Sequence, residues 1–316
     1  MPCCHELSWA QRVSFGIVTV LVGIALLVRQ PLRNNGAFFI SPGEDRKIQQ
    51  ETLAYSNPLS ADQTLRRMPG VAGKQVAVTR KESEVEELGY LLYLPTSWTS
   101  TSTPIPLLVF LHGQGESGSD PSEVKLQGPP AVVENEPEGR VAQSFAVLSP
   151  QKTPYTNWHD LSEEVHNLTK HVLQTYSLDR QRVYLTGVSN GGFGAWALGA
   201  AHPETFAAMV PICGGGDPDT AARLKDLPVW AFHGENDVVI PVESSDKMVE
   251  AMKKAGGVEV KYSRIPDAPG RDDPAWSEAG IPTMPGHASW VLAYYGDPGE
   301  QVYQWLLSHK RIISKK

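Results

Sequence analysis

From Lys74 onward, short apolar runs alternate with amphipathic stretches. "QVAVTR" and "LGYLLYLP" have strand length and strand composition and predict an opening hairpin. "IPLLVFLHG", "FAVLSP", "RVYLTGV", "FAAMVPIC", "LPVWAFHG" and "VEVKYSRI" follow in turn. Runs that are apolar throughout suit strands covered on both faces. Helices are predicted between them. Leu161, Val165, Leu168, Val172 and Tyr176 recur every three or four residues, with Asp160 placed to cap that helix and Glu163 to complete a capping box. "FGAWALGAAHP" predicts a helix of small residues suited to close packing on a sheet. "ESSDKMVEAMKKAGG" sets Met248, Met252 and Ala255 on one side and stops at Gly256-Gly257. "GEQVYQWLLSHK" predicts a closing amphipathic helix. Strands alternating with helices predict an α/β domain over residues 74–316, a mostly parallel, doubly wound sheet flanked by helices. Its active site is then expected at the carboxyl ends of the strands.

The region before Lys74 reads differently. Val13 to Val28 carry no charge, with Arg12 before them and Arg29 and Arg33 after. As a helix this run rises about 24 Å, against a hydrocarbon core of roughly 30 Å; Trp9 and Ala10 extend it as interfacial residues. Residues 1–30 are therefore expected to form a hydrophobic helix, either an uncleaved transmembrane anchor or a signal segment. No small-x-small cleavage site follows in "RQPLRNNGAFF", which favours the anchor. Residues 31–73 are polar and punctuated by Pro42, Gly43, Pro58, Pro69 and Gly70, and read as a tether with a short helix around Asp45 to Leu53.

Composition narrows the picture. Of 316 residues, 41% are hydrophobic and 20% charged, which suits a globular chain. A formal charge of -7 argues against binding nucleic acid, whose phosphates need a basic surface. Of three cysteines, Cys3 and Cys4 lie at the start and are acylation candidates if they face the cytoplasm. Cys213 ends the apolar run "FAAMVPIC" and is expected to be a buried thiol. His166 and His171 are five residues apart and do not share a helix face. The chain has no H-E-x-x-H and no clustered Cys/His set, so no metal and no cofactor are expected.

The candidate chemistry centres on Gly187-Val188-Ser189-Asn190-Gly191, a G-x-S-x-G between "RVYLTGV" and "GFGAWALGAAH". A serine on a tight strand-to-helix turn stands clear of the sheet, and the glycines let the backbone pass its neighbours. The Asn190 N–H opens a helix and is free to meet an oxyanion. An idle serine in a glycine-rich turn is the alternative, and the flanking strand and helix count against it. A serine hydroxyl needs a base oriented by an acid, in the chain order Ser, acid, His. Asp237 follows "LPVWAFHG" and is the expected acid; Glu235, directly after the Gly234 turn, is expected to face solvent. Only His287 and His309 lie beyond Asp237. His309 falls in the terminal helix and is expected to be solvated, which leaves His287 of "PGHASW" as the base. After "FLHG", the Gln114 N–H is placed to be the second oxyanion donor, while His112 and His233 are expected to brace loops.

"PLLVFLHGQGESG", "GPP", "VYLTGVSNGGFGAWALGAAHPETFAAMVPICGGGDP", "PVWAFHGENDVVIPVESS" and "GHASW" together resemble the α/β-hydrolase superfamily. More closely, the stretch from about Leu88 to Leu307 is similar to the bacterial predicted-peptidase or phospholipase/carboxylesterase-like group, related to dienelactone hydrolase and feruloyl esterase types. The resemblance implies Ser189 as nucleophile, Asp237 as acid, His287 as base, and Gln114 with Asn190 lining the oxyanion hole. Dienelactone hydrolases proper carry cysteine where this chain has Ser189, which points to esterase or peptidase chemistry. It implies cleavage of carboxylic esters through an acyl-enzyme, on a small-molecule or polysaccharide-linked ester. The alternatives are a serine peptidase of the prolyl-oligopeptidase-like type and an inactive binding scaffold, the latter disfavoured by the full Ser189, Asp237 and His287 set. Hydrolases with such leaders are more often exported, so a membrane-anchored or secreted protein with an extracytoplasmic catalytic domain is expected, against a count of basic residues that slightly favours the cytoplasm. One departure stands out: "DAPGRDDPAWSEAGIPTMPG" is a long connection before His287. It is expected to wall the acyl or alcohol pocket, with Trp276 and Trp290 as lining residues.

Overall fold

The computed structural model describes residues 72–79, 88–99, 103–270 and 284–312. The expected anchor, most of the tether and Trp276 lie outside them. Among the described residues no helix is long and apolar enough to cross a membrane.

Eight strands form one sheet: β1 (Gln75–Val78), β2 (Gly89–Tyr93), β3 (Leu107–Leu111), β4 (Ala146–Gln151), β5 (Val183–Val188), β6 (Ala208–Ile212), β7 (Val229–Gly234) and β8 (Val260–Ile265). Their order is β1-β2-β4-β3-β5-β6-β7-β8. The opening hairpin forms as expected, with Gln75 opposite Tyr93 and Val78 opposite Tyr90. β2 also pairs antiparallel with β4, and every pairing from β4 through β8 is parallel. The swap of β3 and β4 puts β3 beside β5 in the middle of the sheet, so the ends of β3, β5 and β6 lie together.

Strand periodicity decides which side chains go to which face. Leu107, Val109 and Leu111 of β3 pack on one side with Leu185, Met209 and Val229. Leu108 and Phe110 point to the other, with Tyr184, Val210 and Phe232. The first face is covered by α3 (Ser162–Thr175), α4 (Asn190–Ala201) and α5 (Glu243–Lys254), the second by α1 (Gly128–Asn135), α6 (Trp290–Tyr294) and α7 (Gly296–Leu307). A short helix, α2 (Arg140–Ser144), leads into β4. α1, α2 and α6 have no sustained period in the sequence, and α1 opens on Gly128-Pro129-Pro130, which reads as loop.

Two expectations are corrected. Asp160 does not cap α3, which begins at Ser162 with no side-chain cap. The chain before it is held in successive tight turns, Asp160 N–H to Asn157 O, Leu161 N–H to Trp158 O and Ser162 N–H to His159 O. The buried Trp158 ring, donating to His112 O at 3.0 Å, fixes those turns from below. His309 is not simply solvated: α7 ends at Leu307, and the imidazole sits 3.1 Å from Glu259 Oε2 and 2.8 Å from Trp305 O. The α5 stop is as read, with Gly256 at φ 76 and Gly257 N–H donating to Met252 O at 3.0 Å.

α4 runs close to the sheet because its inner face is glycine and alanine. A methyl group at Gly194 would lie 2.5 Å from Trp158 Cβ, and one at Gly199 2.7 Å from Met209 Sδ. Helix propensity alone favours alanine by about 1 kcal/mol, whereas overpacking a filled core costs about 1–3 kcal/mol. Trp158 is wedged under the loop after β3 and has nowhere to move. Gly194→Ala is therefore expected to destabilise the protein, seen in urea unfolding as a lower midpoint with an unchanged slope.

Candidate active site

Ser189 closes β5 and opens α4 with φ 56 and ψ -119, a left-handed backbone that a serine adopts only under constraint. The surroundings supply it. A methyl at Gly187 would lie 2.2 Å from Gly191 O, and one at Gly192 2.3 Å from Ile212 O. Side chains at these positions cannot be accommodated, so the turn stays tight and the hydroxyl is presented at the sheet's carboxyl edge. Ser189 N–H donates to Ile212 O at 3.0 Å, with Cys213 Sγ at 3.3 Å, which ties the turn to the end of β6. Cys213 is buried, and burial pushes its thiol well above the ordinary range. It is an inert prop.

The structure brings Ser189, His287 and Asp237 into one hydrogen-bonded line. Ser189 Oγ lies 3.0 Å from His287 Nε2, and His287 Nδ1 lies 2.8 Å from Asp237 Oδ2. A carboxylate only accepts, so Nδ1 carries the proton and Nε2 is left to accept from the serine. Asp237 Oδ1 accepts from the Val239 and Ile240 N–H groups at 2.8 and 2.9 Å. Burial alone would raise this carboxyl. Hydrogen bonds from His233 and His287, the attraction of His287 and the Ile240 N–H outweigh it and hold the group well below the ordinary carboxylate range. Glu235, the rival acid, is exposed and pairs with Arg264.

Two glycines let the acid and base loops touch. A methyl at Gly286, which sits at φ 74, would lie 2.3 Å from Asn236 O; one at Gly234 would lie 2.3 Å from Gly286 O. Asn236 clamps the same neighbourhood, its amide donating to Ala268 O at 3.1 Å and its carbonyl accepting from Ala268 N–H at 3.0 Å. Trp290 packs edge-on against His287 with centroids 5.4 Å apart and is 5% exposed, so it backs the imidazole more than it faces a pocket.

The Gly113-Gln114 turn lies beside the serine: a methyl at Gly113 would come 3.7 Å from Ser189 Cβ. Gln114 starts a single 3-10 turn, Gln114–Glu116, and Asn190 starts α4. Neither N–H has an acceptor within its own helix. His112 is fully buried beneath this turn. Its Nδ1–H donates to Gly113 O at 2.6 Å and its Nε2 accepts from Lys152 N–H at 3.2 Å. Burial, with the nearby Lys152 charge, pushes its pKa down to about 3, so it is a neutral brace.

Sequence reasoning missed three features. His233 Nε2 stands 3.3 Å from Asp237 Oδ2, so the acid has two histidine neighbours. Lys152 is buried at the end of β4 against the Gln114 turn; its only sequence signal was its place after a strand. Away from the site, His166, His202 and Glu204 bring donor atoms within 4.8 Å of one another. The two imidazoles stack in parallel, 1° apart, so their in-plane lone pairs do not converge on one point.

Three comparisons bear on this arrangement. The dienelactone hydrolase family model matches residues 135–268, which hold the serine turn and Asp237. A probable feruloyl esterase C from Aspergillus oryzae (strain ATCC 42149 / RIB 40) is 21% identical over 194 residues, 60% of this chain and 70% of that protein. A thermostable esterase of known structure is 32% identical, with a TM-score of 0.61 over 76% of this chain and 64% of its own. This chain thus spans just under two thirds of that esterase's length. Strand order, the serine turn at the sheet's carboxyl edge and these likenesses support an α/β-hydrolase superfamily member related to the dienelactone hydrolases and feruloyl esterases.

Proposed function

We propose that the protein is a serine hydrolase that cleaves carboxylic esters through an acyl-enzyme. The observation that carries this reading is Ser189 Oγ at 3.0 Å from His287 Nε2 on a backbone strained to φ 56. His287 takes the Ser189 proton as the hydroxyl attacks the ester carbonyl. The Asn190 and Gln114 N–H groups receive the developing oxyanion, and the imidazolium returns its proton to the departing alcohol. Water, deprotonated by the same imidazole, then releases the acid. Asp237 stays ionised throughout, holding the Nδ1–H tautomer and stabilising the imidazolium.

The likeness to a probable feruloyl esterase supports feruloyl-type acyl esters as the substrate class, and the proposal extends to such esters carried on carbohydrates. The uncharged run from Val13 to Val28 supports a tethered protein; its catalytic domain is placed outside the cytoplasm because hydrolases with such leaders are more often exported, against the count of flanking basic residues.

Short p-nitrophenyl esters test the chemistry. Wild type is expected to turn over the acetate and butyrate, and Ser189→Ala to lose at least about a thousandfold in kcat. Equal rates in the two proteins exclude the reading. A second test follows from the depressed Asp237 carboxyl. Such a group contributes stability that is present above its unfolded value, about 3.9, and is lost as pH falls towards the folded one. Asp237→Asn is expected to lower kcat by about 10⁴-fold and, in thermal unfolding at pH 6 and pH 3, to lose less stability between them than wild type. For the tether, alkaline carbonate should leave the full chain in the membrane fraction; its release into the supernatant would remove the anchor from the proposal.

A further inference from the structure

Lys152 is 1% exposed, yet it carries an ammonium group. It follows β4 directly and meets the loop after β3 at four points. Its N–H donates to His112 Nε2 at 3.2 Å, and its carbonyl accepts from Gly118 N–H at 3.0 Å. Its Nζ donates to Gln114 Oε1 and to Ser117 Oγ, both at 3.0 Å, with Thr153 O at 3.5 Å. Among the described residues no carboxylate forms an ion pair with it. A loop that only needed tying down could be tied by the backbone contacts and by neutral side chains. Gln151 already does so, its amide donating to Glu116 O at 2.9 Å. Burying a cation is costly unless its charge is used.

The charge has one neighbour that can use it. Gln114, whose side-chain carbonyl accepts a hydrogen bond from the ammonium, is the residue whose backbone N–H is assigned to the oxyanion. A fixed positive charge held beside a preorganised donor adds its own attraction for a developing anion.

We propose that Lys152 is a positioning residue for ester cleavage: its ammonium holds Gln114 in place and biases the field at the oxyanion toward negative charge. The inference rests on the serine-hydrolase reading above. It has a consequence in pH. Burial lowers the Lys152 pKa to about 8. Below that pH the ammonium is present; above it the charge and one donor are lost, so activity falls as pH rises through about 8. The ionisable groups on the elements packed against Lys152 are His112 and Glu116 on the loop after β3, and Tyr155 and His159 on the segment after Lys152. His287 and Asp237 lie across the nucleophile. His112 is neutral through this range, and Glu116 accepts from Gln127 at 2.8 Å.

The experiment measures kcat and KM for p-nitrophenyl acetate from pH 6 to 10, with uncatalysed hydrolysis subtracted, for wild type, Lys152→Met and Lys152→Arg. Circular dichroism checks folding. Lys152→Met is expected to lose about tenfold or more in kcat at pH 7, less than the 10²–10³ of a lost oxyanion donor, with KM nearly unchanged and no alkaline fall. Lys152→Arg keeps a cation that does not titrate and is expected to regain part of the rate while also losing the fall above pH 8. If Lys152→Met keeps the alkaline fall, or Arg restores nothing in a folded protein, the residue is only a structural tie and the proposal is overturned. Labelling of Ser189 by a fluorophosphonate separates the two readings. If wild type is labelled but does not turn over the ester, the same pH comparison is made on the labelling rate. If it is neither labelled nor active, the serine-hydrolase reading fails and this inference falls with it.

Discussion

A methyl group at Gly191 would lie 1.9 Å from Leu111 O, and one at Gly214 2.6 Å from Gly192 C. The turn that carries Ser189 is pressed between the ends of β3 and β6, backbone against backbone, with no room for a side chain on either side. Much of the site depends on this contact. It forces the left-handed conformation of Ser189 and sets Asn190 at the head of α4. It also brings the loop after β3 within reach of the nucleophile. The strain at Ser189 persists because neighbouring strands over-determine it. The swap of β3 and β4 in the sheet order is what makes the two flanking ends available.

The acid is joined to that turn by two routes. One passes through His287 to Ser189 Oγ. The other runs behind it: His233 lies between Asp237 and Ser245, with Nδ1 2.7 Å from Ser245 Oγ, and Ser245 donates to Gly214 O at 2.7 Å. Gly214 is the residue that abuts Gly192. Asp237, His287 and Ser189 therefore sit on a closed ring of contacts, and a shift of the Asp237 loop is felt at the serine turn from both sides. The site's charges are separated by the same framework. A carboxylate ringed by donors stays ionised, and a buried imidazole with one donor and one acceptor partner stays neutral. The buried ammonium is held against the loop after β3 by Gln114 and Ser117.

What was legible in the chain follows from how local each signal is. The strands were readable because each is a short apolar run, and α3 and α5 because their buried faces keep a helical period. The serine turn was readable because strand, glycines and helix are contiguous, and Asp237 and His287 because chain order leaves few rivals. α1 was hidden by its Gly-Pro-Pro start, and the α3 start by the turns that Trp158 imposes from elsewhere in the fold. Lys152 and Gly286 were hidden for one reason: each matters through a partner far away in sequence, Gln114 for the one and Asn236 for the other. The polar network of the site is a tertiary property, while its reacting groups lie in locally marked turns.

The long connection before His287 shows how that network tolerates change. Its two ends are pinned together where they leave the sheet. Ala288 N–H donates to Pro269 O at 3.0 Å, and a methyl at Gly270 would lie 3.3 Å from Pro285 Cα. Asn236 holds Ala268 on one side of this neck, and Val238 N–H reaches Pro285 O at 3.3 Å on the other. The acid loop thus grips both strands of the neck, and His287 leaves from it directly. With the neck closed, the position of the imidazole is set by Asn236, Gly286 and Asp237, not by the length of the excursion beyond. Doubling a loop's length costs only about 0.6 kcal/mol in closure entropy, so the excursion can vary in length and composition at little cost to the reacting geometry.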